Sequence, residues 1–206
     1  LTRYAITGSS ALPVNAREPG DVDLVVTSFA ELPVALSEAF LCVHVHPGAA
    51  SGKLLLQLVN PDDRVRVDIF SAAGNTLART IPGTLEGHSV RFVSREDLAA
   101  RLARSLMALE RNEPVAQKFA TGFQTLVDSI ERSRIEAVWS DYRADDDPET
   151  FDEACNRIAV AIAIHEDLLV EPQYSTDAGI VCLRCDASAG FPVASPREIL
   201  GLLGYC

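Results

Sequence analysis

Long apolar runs are missing from this 206-residue chain. No stretch approaches the roughly 18 residues a membrane-spanning helix needs, so a spanning helix is excluded and the chain is expected to be soluble. Basic blocks are missing too. Eighteen Lys and Arg face 29 Asp and Glu, a formal net charge of −11, with 8 against 11 in residues 1–100 and 10 against 18 in residues 101–206. Coating duplex DNA needs a basic surface that neutralises several phosphates, so bulk duplex binding is not expected, although a small local nucleic-acid site survives. Aromatics make up only 6% of the chain, and none can be placed from sequence to stack on a base. Internal repeats and low-complexity segments are absent. Cysteine is sparse and odd in number, five in all with one closely spaced pair. That usage fits a reducing, cytoplasmic compartment with thiols buried or holding metal. The chain opens on Leu1 rather than Met, so its lack of a leader carries little weight.

What is present is core material: 48% hydrophobic and 23% charged residues exclude disorder, collagen-like repeats and coiled coil. The length suits one compact domain with a smaller appendage. Tyr4–Thr7 reads as a strand running into Gly8-Ser9-Ser10. Val22, Leu24 and Val26 alternate with Asp21, Asp23 and Val25, the period of a half-buried strand. Phe29–Phe40 has helical spacing, and Phe40–His46 forms another strand. Leu54–Val59 is a continuous apolar run closed by the turn signal Asn60-Pro61-Asp62-Asp63, and Val65, Val67 and Ile69 alternate beyond it. A hairpin over Leu54–Phe70 is expected. From residue 94 the period becomes helical. Ser94 with Asp97, and Thr150 with Glu153, resemble capping boxes that open helices to about Arg111 and Leu169. Pro114 suits the first turn of a helix reaching about Tyr142 with a break near Gly122. Asp145–Glu149 reads as a solvated linker, and Ser195 caps a short helix that Gly204 would end.

Chemistry concentrates in three carboxylates. Asp21 and Asp23 leave the same face of a strand with Cα atoms about 6.6 Å apart, close enough to share metal ions. Asp68 sits on a second alternating strand. If the two strands are neighbours all three converge, and such a cluster repels itself unless divalent cations bridge it. Mg²⁺ is the natural candidate, because it favours a few carboxylates plus phosphate oxygens. Gly8-Ser9, directly after a strand, is a turn able to point backbone N–H groups at a phosphate.

In order and spacing, Ile6-Thr7-Gly8-Ser9, Asp21-Val22-Asp23-Leu24 and Val67-Asp68-Ile69 resemble the nucleotidyltransferase superfamily with the DNA polymerase β-like fold. The resemblance covers roughly residues 1–110. It implies an α/β (α+β) fold, a mixed sheet with flanking helices, and transfer of NMP from an NTP to an acceptor hydroxyl. Carried over by position, Gly8 and Ser9 hold the triphosphate, and Arg17 occupies a place where such proteins often carry a basic residue. Asp21 and Asp23 bind two Mg²⁺ ions, while Asp68 completes the second and helps activate the acceptor hydroxyl. Other cationic partners for a triphosphate are few: Arg3, Lys53, Arg64 and Arg66. Lys53 after Gly52 is not a P-loop, since Leu54 stands where Ser or Thr is required. The acceptor stays open between a small hydroxyl compound, an RNA end and a protein side chain. The alternative is an inactive nucleotidyltransferase-like module that binds a nucleotide or protein partner.

At the far end, Cys182-Leu183-Arg184-Cys185 with Cys206 resembles a structural zinc site lacking one ligand, which Cys155 or, less readily, His165 would supply. Buried cysteines without metal are an equal reading, and Cys42 reads as core. His44 and His46 share a strand face without a third ligand nearby. Trp139 and Tyr142, beside Arg143, read as core packing rather than base stacking. The expected organisation is a catalytic domain over residues 1–110, a helical region over 111–170, and a Cys-containing tail over 171–206 packed on that helical region.

Overall fold

Alternating apolar and polar residues build the first half of the chain into one mixed sheet. The computed structural model describes residues 4–11, 21–29, 32, 34–47, 54–171, 174–175, 179–182 and 187–189. In chain order these form strands β1 (Tyr4–Thr7) and β2 (Val22–Val26), helix α1 (Val34–Ala39), and strands β3 (Leu41–Pro47), β4 (Leu54–Val59), β5 (Arg66–Ser71), β6 (Ile81–Leu85) and β7 (His88–Phe92). Helix α2 (Arg95–Leu106), strand β8 (Val115–Ala116), helices α3 (Gln117–Val127), α4 (Arg132–Trp139) and α5 (Phe151–Ile164), and strand β9 (Leu169–Val170) follow. Three short strands, β10 (Tyr174–Ser175), β11 (Gly179–Cys182) and β12 (Ala187–Ala189), form an antiparallel sheet. Among the described residues no helix is long and apolar enough to cross a membrane.

The chain divides into two compact units: Leu1–Val93 with Tyr174–Cys206, and Ser94–Gln173. In the first, the strand order is β3-β4-β5-β2-β1-β7-β6. β2 runs parallel to β5 and β1 parallel to β7, while the remaining neighbours are antiparallel. The hairpin expected over Leu54–Phe70 is β4–β5, and its turn is closed by side chains. Asn60 Oδ1 accepts from the Asp62 N–H at 2.9 Å, and Asp63 Oδ1 from the Val65 N–H at 3.0 Å. One sheet face buries Val26, Cys42, Leu56, Leu58, Val67 and Ile69, with Leu36 of α1 packed against them. The other face holds a smaller cluster of Ala5, Val25, Leu77 and Val93.

The second unit is helical. Ser94 and Thr150 are N-caps as expected, accepting from the N–H groups of Asp97 and Glu153, an arrangement worth about 1 kcal/mol each. α2 passes into a 3-10 helix, Met107–Arg111, which Asn112 ends in the left-handed conformation at φ 56°. The helix expected from Pro114 to Tyr142 is instead two, α3 and α4. It breaks after Val127, where the Ser129 hydroxyl donates to the Leu126 carbonyl at 2.9 Å, and not at Gly122, which lies buried inside α3. α5 stops at Ile164, short of the expected Leu169. Trp139 is core: its Nε1–H donates to the Pro148 carbonyl at 2.9 Å, and its ring meets Phe151 edge-on at 5.8 Å. Asp145–Glu149 is not simply a solvated linker. Asp147 is 6% exposed, accepts from the Ala144 N–H at 2.8 Å and faces Arg104 at 3.0 Å.

Candidate active site

Strand register gathers the polar residues of the first unit into one row. Thr7 on β1 pairs with Asp23 on β2, Asp23 with Asp68 on β5, Asp68 with Gln57 on β4, and Gln57 with His44 on β3. Residues directly opposite on neighbouring strands share a face about 5 Å apart, so five strands contribute one polar position each to a single line. The neighbourhood of β2 and β5, on which convergence of the carboxylates depends, is therefore present. Asp21 lies one residue ahead of β2 rather than within it. His44 enters the row because the β3–β4 register shifts between Cys42 and His44. Without that bulge Cys42 and His44 would share a face; with it, Cys42 stays in the apolar cluster while His44 sits opposite Gln57.

Gly8 closes the row at the end of β1. Its φ is +65°, a conformation side chains disfavour, and a Cβ built there would lie 1.6 Å from Asp23 Oδ2. The Asp23 carboxylate thus rests directly against the turn Gly8–Ala11, and only glycine leaves room for it. This contact ties the Gly-Ser turn and the acid-x-acid strand into one site.

Asp68 is a strongly perturbed acid. Burial, then the negative charges of Asp23 and Asp21, push its carboxyl up to about 7. Gln57 Nε2 and Arg66 act in the opposite direction. The Gln57 amide donates to the two Asp68 oxygens at 3.4 and 3.3 Å, long for such bonds. His44 is lowered from its ordinary value by burial.

A surplus of negative charge at a half-buried carboxyl is what a divalent cation relieves, so the donor set suits one. Among the described residues no group of three or more His, Cys, Asp and Glu side chains could by itself hold a metal ion. An ion held between two carboxylates would complete its shell with water or phosphate oxygens, the habit of Mg²⁺.

Of the other expected site residues, Ser9 lies in the turn Gly8–Ala11. Arg17, Arg3 and Lys53 lie outside the described residues. Cys185 and Cys206 lie outside them as well, and Cys182 is described only as part of β11, so the zinc reading is not placed. Cys155 is buried on α5, where burial raises its thiol pKa. His165 caps the end of the same helix. Gln57 was not singled out in the sequence, where it hides in an apolar run. The signal was its solitude: one amide among five aliphatic residues of β4.

No protein-family model matches the chain, and no curated protein matches it. Solved structures do. The chain is similar to ANT(2")-Ia, solved in complex with adenylyl-2"-tobramycin, at 14% identity and a TM-score of 0.47, over 68% of this chain and 87% of that one. It is also similar to an antigenic nucleotidyltransferase-like protein from Paracoccidioides brasiliensis, at 17% identity and a TM-score of 0.38, over 80% and 81% of the two chains.

Proposed function

We propose that this chain is a Mg²⁺-dependent nucleotidyltransferase that moves a nucleoside monophosphate from an NTP to a hydroxyl group. The observation that carries the reading is the register pair Asp23–Asp68, with Gly8 backed directly onto the Asp23 carboxylate. A turn that approaches a carboxylate this closely sets phosphate-binding backbone and metal-binding oxygens side by side. In the proposed arrangement Gly8 and Ser9 receive the triphosphate, assisted by Arg17. Asp21 and Asp23 hold the Mg²⁺ ions, and Asp68 completes the second. Bound there, Mg²⁺ supplies charge stabilisation for the entering and leaving oxygens of an in-line displacement.

The acceptor oxygen forms a bond to the α-phosphorus, the bond from that phosphorus to its bridging oxygen breaks, and pyrophosphate leaves. The hydroxyl proton passes to an Asp68 carboxylate oxygen. The acceptor is a small hydroxyl compound, an RNA end or a protein side chain.

The test is incubation of the protein with each labelled NTP, Mg²⁺ and candidate acceptors, with pyrophosphate release as the measure. Metal-dependent release by wild type and none by Asp23→Asn is the expected result. Nucleotide binding without release under any condition would replace the enzyme with a non-catalytic module.

A further inference from the structure

β4 reads Leu-Leu-Leu-Gln-Leu-Val, and its one polar residue falls at the position paired with Asp68. Gln57 is 7% exposed, and its Oε1 is buried without a hydrogen-bond partner among the described residues. A buried acceptor left unpaired costs free energy that an apolar residue at the same place would avoid. Packing gives no reason for an amide here, because the adjacent Leu56 and Leu58 complete the apolar cluster on the opposite face. What the amide does is reach sideways: its Nε2 spans both oxygens of Asp68. Asp23 flanks the same carboxylate from β2, so Asp68 lies between a donor on one strand and an acid on the other.

We propose that Gln57 is a positioning residue that fixes the orientation of the Asp68 carboxylate for nucleotidyl transfer; this rests on the nucleotidyltransferase reading. Gln57 touches neither nucleotide nor acceptor and acts through Asp68 alone. A single NH₂ group shared by both oxygens restrains rotation of the carboxylate about its Cβ–Cγ bond. An apolar side chain of the same length would fill the space and leave that rotation unrestrained. Partners that orient metal-binding carboxylates are typically worth about 10–100-fold in affinity or activity when removed.

The experiment is a double-mutant cycle with Mn²⁺ as the probe. Mn²⁺ binding is titrated by electron paramagnetic resonance into wild type, Gln57→Met, Asp68→Asn and the double variant, alongside transfer kinetics. Gln57→Met is expected to weaken Mn²⁺ binding and lower kcat by about 10-fold each, with KM for the NTP little changed. In the Asp68→Asn background the same substitution is expected to leave Mn²⁺ binding unchanged. Gln57→Asn keeps the amide but draws it back by one methylene; it is expected to lose less, and it carries the same cycle should Gln57→Met fail to fold. Wild-type kinetics and Mn²⁺ affinity in Gln57→Met would overturn the proposal. So would an equal loss of Mn²⁺ binding with and without Asp68, which marks a general structural effect. If wild type itself neither binds Mn²⁺ nor transfers nucleotide, the nucleotidyltransferase reading fails and this role falls with it.

Discussion

Asp97 and Asp147 in the Ser94–Gln173 unit are buried and Asp68 in the strand-rich unit is half-buried, yet their surroundings differ in kind. Asp97 is fully buried; it receives the Tyr142 hydroxyl at 3.0 Å and the Ser94 hydroxyl on its other oxygen. Asp147 has a backbone N–H and two guanidinium groups, Arg104 and Arg111. Among the described residues, Asp68 has one shared, long amide contact and the positive charge of Arg66, set against burial and two negative neighbours that together outweigh them. The first two charges are compensated from within the protein and hold its fold together. The third is undercompensated, which is the state of a site built to be completed from outside.

Substitution by asparagine, which removes charge but keeps shape, separates the two kinds most widely. Asp68→Asn and Asp23→Asn are expected to lower transfer by about 10²–10³-fold, the scale of removing one preorganised electrostatic group. Asp68→Asn is also expected to raise the urea midpoint at pH 8 in the presence of a chelator, since it removes a repelled charge. Equal destabilisation by Asp68→Asn and Asp97→Asn would erase the distinction drawn here. Gly8→Ala comes next: with its Cβ directed at Asp23 Oδ2, it is expected to displace that carboxylate and cost transfer about 10²-fold. A folded, fully active alanine variant would break the link between the turn and the acids.

Asp97→Ala is expected to cost about 2–3 kcal/mol of stability by urea melt, because it strands the buried Ser94 and Tyr142 hydroxyls that donate to the carboxylate, with transfer kept in folded protein. The smallest effect is on pH dependence. Burial and the neighbouring negative charges push the Asp68 carboxyl up to about 7 in the metal-free folded protein, against 3.8 for an ordinary aspartate, so the folded state holds an extra proton between about pH 4 and 7. Its contribution is therefore most favourable below pH 4 and is lost as pH rises through 7, by about 1–2 kcal/mol once residual solvent contact is allowed for. Wild-type stability in chelator, less that of Asp68→Asn, should fall between pH 5 and 8; a flat difference would contradict the assigned environment.

Much of this site was legible in the sequence because its parts are local. Strand alternation around Asp23 and Asp68, the Asn60–Asp63 turn and the two Ser/Thr caps each declare themselves within a few residues. What stayed hidden depends on neighbours distant along the chain. β6 contains Pro82 and Gly83, which read as strand breakers; an edge strand tolerates the proline, and Gly83 is covered by the Phe92 ring, 2.6 Å from where a Cβ would stand. The bulge that turns His44 toward Gln57 has no local signature, because it is a property of the β3–β4 pairing. Asp147 looked like one more residue of an acidic run until Arg104 and Arg111 closed over it. Gln57 gains its meaning only from the strand beside it.

The most direct test of the undercompensated carboxylates is calorimetric titration of ATP, GTP, CTP and UTP, with and without Mg²⁺, into wild type and Asp23→Asn. The account predicts binding of at least one NTP that requires Mg²⁺ and is lost in the variant, with the preferred base directing the search for an acceptor. Binding that is indifferent to Mg²⁺ and to Asp23, or no binding by any of the four, would contradict it.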